Sequence, residues 1–237
     1  MVCAIALIAA VVTTSVALHL GGSSAVVSTS QAAFGYSGPY APVTLNADNS
    51  VTMAQPGVSQ PELDVYEDFQ CSVCRTFEQR SGATIQRLAD EGKLKVVYYP
   101  YTVFDSQPQR GNSIRAWAAA KCVPANIWAR YHNSLYASQP TQTTADGFAV
   151  TALVRLGRNL GITNPSFAQC VQSQQYAVQD LPLSDQIINS GVSSMLTLKL
   201  NGQLLDPRLS SSQLRQQIIS ASSGITSAQA QVPPVRV

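Results

Sequence analysis

The stretch PELDVYEDFQCSVCRTF, residues 61–77, sets Cys71 and Cys74 three positions apart, behind a β-branched and aromatic run and ahead of a helix-like one. A lone Cys-x-x-Cys fits a redox centre, half of a metal site or a short staple, so its surroundings have to decide. Leu63, Val65 and, after a shift, Phe69 are spaced as one strand running into the pair. Beyond it Val73, Phe77, Ile85 and Leu88 mark a helix that Gly92 stops. KLKVVYYPYTVF, residues 93–104, is the clearest strand of the chain, interrupted by Pro100. Strand, cysteine pair, helix, strand is a βαβ unit, the context in which Cys-x-x-Cys reads as a redox motif.

The bulk composition narrows the choice further. At 237 residues with 45% hydrophobic side chains, the chain can bury a full core, and its 12% charged residues argue against long solvated helices. A net charge of +2 leaves no basic stripe for nucleic acid. Residues 1–20, MVCAIALIAAVVTTSVALHL, carry no Asp, Glu, Lys or Arg, which predicts a signal peptide or an N-terminal membrane anchor. The protein is therefore expected outside the cytoplasm, in a periplasm or cell envelope, where disulfides persist.

Cys3 belongs to the apolar segment, without lipobox spacing, and is set aside. Of the three pairings open to the other four cysteines, the close spacing favours Cys71–Cys74 with Cys122–Cys170. The second pair reads as a structural disulfide between two helices. A structural zinc site would need four ligands in close pairs, which Cys122, Cys170 and His132 do not offer. A purely structural Cys71–Cys74 staple would close a tiny loop to little gain. No metal and no cofactor is expected.

Residues 21–57, rich in Ser, Gly, Ala, Thr and Pro, read as a low-charge linker or lead-in, with a short edge strand at Ser50–Ala54. Residues 58–111 hold the first α/β half. Residues 112–182 turn helical, with apolar spacing near 3.6 in 113–123, 125–138, 145–161 and 164–179. Asp146, and Asn164 before Pro165, read as helix entries, and Gly161 as an exit. Trp117, Trp128, Tyr131, Tyr136 and His132 read as packed helix residues rather than a binding platform. The second α/β half, 183–225, offers a helix at 183–191, a hairpin turning at Asn201-Gly202 and a closing helix from Ser210. Residues 226–237 read as a disordered tail.

YEDFQCSVC, WARYHNSLYA and GVSSMLTLKLNG, in that order over roughly residues 58–220, resemble the DsbA-type thiol–disulfide oxidoreductases. The resemblance implies an α/β, thioredoxin-like fold interrupted by an α-helical insertion domain. It implies an enzyme that forms or exchanges disulfides in exported proteins bearing cysteines, with a membrane quinone-linked reoxidase as partner. One departure stands out. Where the family carries Thr-Pro-Thr with a cis proline, this chain has Met195-Leu196-Thr197 as its substrate-docking loop. A cis bond before a non-proline residue costs about 2.5–4 kcal/mol, so a trans Met195–Leu196 bond is predicted.

In this reading Cys71 stands at a helix N-terminus with its sulfur partly exposed, where unpaired N–H groups favour the thiolate. Cys74, one turn further, resolves the mixed disulfide. Ser72-Val73 between them adds no charge, so an intermediate potential is expected. Glu67 and Asp68 are candidates for a proton relay, against the plainer alternative of solvated or capping acids. A second class of function stays open: a non-catalytic or specialised binding or chaperone-like module of the envelope, with Leu196 extending an apolar surface beside the cysteines. A monomer that contacts the membrane through its N-terminal segment is expected in either case.

Overall fold

The computed structural model describes residues 34, 36–192 and 194–222. The apolar segment 1–20 and the tail 226–237 lie outside them. Six strands form one mixed sheet: β1 (Val43–Leu45), β2 (Val51–Met53), β3 (Glu62–Glu67), β4 (Lys95–Pro100), β5 (Thr197–Leu200) and β6 (Gln203–Leu205). Their order across the sheet is β1-β2-β4-β3-β5-β6. β3 runs parallel to β4 and antiparallel to β5, which puts it at the centre. Leu63, Val65, Val96 and Tyr98 are buried on these central strands, and Leu198 on β5. Runs this apolar suit a sheet covered on both faces.

Eight helices are described: α1 (Ser72–Phe77), α2 (Ala83–Asp90), α3 (Gln109–Lys121), α4 (Ala125–Ala137), α5 (Val150–Asn159), α6 (Pro165–Gln172), α7 (Ala177–Asn189) and α8 (Ser211–Ser222). The crossover from β3 to β4 is α1, a π-turn over Glu78–Gly82, and α2. One continuous helix was expected from Cys71 to Leu88, and the π-turn interrupts it. Such wide turns occur mostly as single insertions in helices and favour functional sites.

Three further expectations are corrected. The lead-in before residue 58 is not merely irregular, since β1 and β2 pair there and β2 continues onto β4. Asp146 does not open α5; the helix begins at Val150, after a turn in which Phe148 takes φ 53°. Finally, the helix expected over 164–179 ends at Gln172, and the chain from Ala177 runs on through 180–182 into the next expected helix as α7, with Pro182 inside it. The carbonyl that Pro182 cannot bond is that of Val178, on an exposed turn where water can serve it.

Other local signals act as read. Asn164 caps α6, its Oδ1 accepting from Ser166 N at 3.0 Å. Asn201 and Gly202, both at positive φ, turn β5 into β6. Cys122, just past α3, is bonded to Cys170 on α6. Trp117, Trp128, Tyr131 and Tyr136 are buried, and Trp117 Nε1 donates to Pro100 O at 2.8 Å. Among the described residues no helix is long and apolar enough to cross a membrane.

Candidate active site

The cysteine pair lies where β3 ends and α1 begins. Cys71 is the N-cap of α1, and its Sγ accepts from Cys74 N at 3.2 Å. Both cysteines are free thiols. The approach turn is pinned from the helical part of the chain. Gln139, just past α4, donates from Nε2 to Phe69 O at 2.8 Å and to Cys71 O at 2.9 Å. Gln70 returns a bond from its own Nε2 to Pro140 O at 3.0 Å. Cys71 is 0% exposed, not partly exposed as its helix-cap position predicts.

The two thiols differ sharply in acidity. Cys71 lies below the ordinary thiol value, first through a hydrogen bond from the Cys74 thiol and then through the N–H groups of Cys74 and Val73, against burial and the Asp68 charge. Burial pushes Cys74 well up, and the bond to Cys71, its charge and that of Glu67 push the same way. The Cys74 sulfur also lies 3.0 Å from Met195 O. Its single S–H can serve either acceptor, and the Cys71 thiolate, being charged, is the stronger one.

The departure from the family loop takes a definite form. The cis peptide bonds among the described residues precede Pro61 and Pro108, and Met195–Leu196 is trans. Leu196 is buried and Met195 is 42% exposed, so Met195 rather than Leu196 shows an apolar side chain beside the cysteines. Thr197 opens β5 opposite Tyr66. Tyr101 OH donates to Ser194 O at 2.7 Å and steadies the loop from behind. Exposed Val73 belongs to a shallow pocket with Ser72, Thr76, Arg80, Pro207 and Arg208.

Neither acid before the cysteines is solvated. Asp68 is fully buried and accepts from Ser113 Oγ at 2.6 Å, Gln70 N at 2.7 Å and Val103 N at 2.9 Å. Burial raises it to about 7 despite these three donors. Glu67 is buried and pairs through Oε1 with His132 Nε2 at 2.6 Å. His132 sits among the rings of Tyr98, Trp128, Tyr136 and Phe69, with centroids at 4.8, 4.9, 5.2 and 5.7 Å. Cys122 and Cys170 stand apart from this group, within the helical part of the chain.

Three residues of the site escape a reading of the sequence. Gln139 acts through a turn that only tertiary structure brings near, and Ser113 is an ordinary helix residue until Asp68 lies against it. Glu78 did leave a signal, since it follows Cys74 by four positions and shares its helix face.

A central parallel strand pair, a pair of cysteines at the start of the crossover helix and a helical insertion together define a thioredoxin fold of the DsbA type. The chain belongs to the thioredoxin family, whose model, described as thioredoxin, matches residues 58–219. Among solved structures it is similar to reduced DsbA from Mycobacterium tuberculosis, at 25% identity and a TM-score of 0.62, over 73% of this chain and 89% of that one. It is similar to reduced DsbG from the same organism, at 28% identity and a TM-score of 0.60, over 77% and 90%. With oxidised BdbD from Bacillus subtilis it shares the fold, at 16% identity and a TM-score of 0.64, over 79% and 100%. No curated protein matches the chain.

Proposed function

We propose that this protein is an extracytoplasmic thiol–disulfide oxidoreductase acting on exported proteins through Cys71 and Cys74. The observation that carries the reading is the asymmetry of the pair: one thiol is lowered at a helix start, and its neighbour is raised by burial. A thiolate of the client attacks Cys71 Sγ of the Cys71–Cys74 disulfide. The S–S bond breaks, and Cys74 leaves with the electron pair and takes up a proton. A second client thiolate then attacks the client sulfur of the mixed disulfide. Cys71 leaves as its stabilised thiolate, the client is oxidised by two electrons and the enzyme holds a dithiol. A quinone-linked membrane protein fits as the acceptor that restores the disulfide, and residues 1–20 would keep the enzyme, a monomer, at that membrane.

Glu67 and Asp68 would handle the Cys74 proton, a role supported for Glu67 by its charge acting on that thiol. The 195–197 loop docks the client backbone. In the dithiol Met195 O lies within reach of the Cys74 S–H. In the disulfide that proton is gone, so the acceptor is open to a client N–H before turnover and contested after it.

One observation favours the second reading, a specialised binding module: Cys71 exposes no surface to a client. Oxidative refolding of reduced RNase separates the two, run with the parent, Cys71→Ser and Leu196→Pro. Acceleration by the parent that Cys71→Ser abolishes supports the enzyme. An inert parent beside an active Leu196→Pro shows an oxidoreductase scaffold with a repurposed loop, and inertness in all three leaves the binding module.

A further inference from the structure

Behind the cysteines lies a second cluster, of whose three members the redox reading uses only Glu67. Glu67 of β3, Glu78 of the π-turn and His132 of α4 are all buried, and each places one ligand atom within 4.8 Å of the other two. Three of the four carboxylate oxygens, Glu67 Oε2 and both of Glu78, have no hydrogen-bond partner. Leaving such acceptors unpaired in a protein interior is costly, more so when they are charged, which calls for an explanation at each one. The hydroxyl of Tyr98, whose ring lies 4.8 Å from that of His132, is likewise buried and unpartnered.

The backbone is shaped around the Glu78 carboxylate. A Cβ at Gly82 would fall 2.5 Å from Glu78 Oε2, so the residue closing the π-turn has to be glycine for the carboxylate to lie there. The imidazole is held from its other side. His132 Nδ1 lies 3.3 Å from Asn133 Oδ1, and Asn133 is itself bonded to Gln86 and Tyr40. A hydrogen bond on Nδ1 is the usual outer support of a metal-binding histidine, and an ion bound at Nε2 would displace the proton that this nitrogen shares with Glu67 Oε1.

We propose that Glu67, Glu78 and His132 form a binding site for one divalent transition-metal ion. Two carboxylates and one neutral imidazole suit a borderline first-row ion such as Zn2+ or Mn2+ rather than Ca2+, which takes oxygen ligands alone. Charge balances, because two carboxylates match a 2+ ion and leave no net charge in the interior. Ligand atoms bonded to one ion at about 2.0–2.2 Å stand about 3–4 Å apart, so the 2.6 Å contact between Nε2 and Oε1 opens by roughly half an ångström or more on binding. The ion would tie together the strand before the cysteines, the helix after them and the helical insertion. The expectation of no metal, drawn from the cysteines and from His132 as a lone histidine, did not consider carboxylates that meet only in the fold.

The test adds Zn2+ to chelator-stripped, oxidised full-length protein, in which the Cys71–Cys74 disulfide offers no thiolate, and repeats it on Cys71→Ser/Cys74→Ser. One equivalent of zinc per chain retained through gel filtration is expected. The unfolding midpoint should rise by about 5–10 °C at a hundredfold excess over the Kd. Co2+ in its place should give visible d–d bands without a thiolate charge-transfer band. Glu78→Gln, which keeps shape and removes one ligand charge, should stay folded and lose both retention and the rise. No zinc retained by the parent, or equal retention by Glu78→Gln, overturns the site. The readouts involve no redox turnover, so their failure leaves the oxidoreductase reading where it stands.

Discussion

Replacing Gln139 by methionine keeps side-chain volume and deletes the amide that holds the active-site turn. Gln139 Nε2 bonds Phe69 O at 2.8 Å and Cys71 O at 2.9 Å, so two acceptors lose a donor at once. The two losses are unequal. Cys71 O keeps Arg75 N at 3.1 Å through the first turn of α1, and only the Phe69 carbonyl loses its side-chain donor outright. An acceptor stranded in a buried setting costs about 1–3 kcal/mol, and a lost bond to an acceptor that keeps another partner about 0.5–1.5 kcal/mol. Gln139 is half-buried, so water can enter and serve part of the vacated place, which favours the low end of both.

The expected loss is therefore about 1–2 kcal/mol, or roughly 2–8 °C in the unfolding midpoint for a chain of this size. Equilibrium urea unfolding of the reduced protein measures it, and the ultraviolet absorbance of the thiolate followed against pH reports on Cys71 in the same samples. A loosened turn should move the Cys71 titration upward, towards the free-thiol value of about 8.5, as its bonds from the α1 amides lengthen. An unfolding free energy within about 0.3 kcal/mol of the parent, with the titration unmoved, would refute the idea that this glutamine organises the site, since surface changes away from any feature stay below about 0.5 kcal/mol.

Cys74→Ala removes the thiol whose hydrogen bond leads the lowering of Cys71, so the Cys71 thiolate should titrate at higher pH; an unchanged curve would shift the credit to the backbone amides. Asp180, buried beneath Thr102 and Ser184, is raised from 3.8 to about 6 by burial. The folded state then holds more protons than the unfolded one between these values, so stability is present below about pH 4 and falls as pH rises through 6. Asp180→Asn should flatten that slope, removing of order 3 kcal/mol of pH dependence in thermal or urea melts across the window. Gly157→Ala would place a Cβ 2.3 Å from the Phe167 ring at the contact of α5 and α6, and should cost about 1–3 kcal/mol by the same melts.

Legibility in the sequence tracked the range of the interaction. The βαβ unit around Cys71 and Cys74, the Asn164 cap and the Asn201-Gly202 turn are set by neighbours within a few residues, and each could be read from spacing alone. The errors came where distant segments override local preference. Val43–Leu45 has a composition suited to a tether, and becomes a strand because Val51–Met53 and then β4 supply its partners. Pro182 looks like a break, but its missing bond falls on a solvated turn. His132 and Glu67 could each be named as residues of interest, yet nothing within either segment shows that the strand and the helix bring them to 2.6 Å.

The same distinction bears on Leu196. At this place a family member carries a cis proline, which presents the backbone before it to a client strand. Here the bond is trans, the leucine side chain is buried, and the carbonyl of Met195 lies 3.0 Å from the Cys74 sulfur. The substitution thus removes the proline without replacing it by an apolar contact surface, and a binding module built on an exposed Leu196 loses its basis. What remains exposed at the loop is Met195, an unbranched and polarisable side chain of the kind that adapts to varied apolar partners. A client that reaches Cys71 has to displace cover from a sulfur with no free surface and compete for a carbonyl near the neighbouring thiol. A client therefore needs both an opening at Cys71 and the release of the Met195 carbonyl, so access, as well as the potential of the cysteine pair, should set which clients this dithiol can meet.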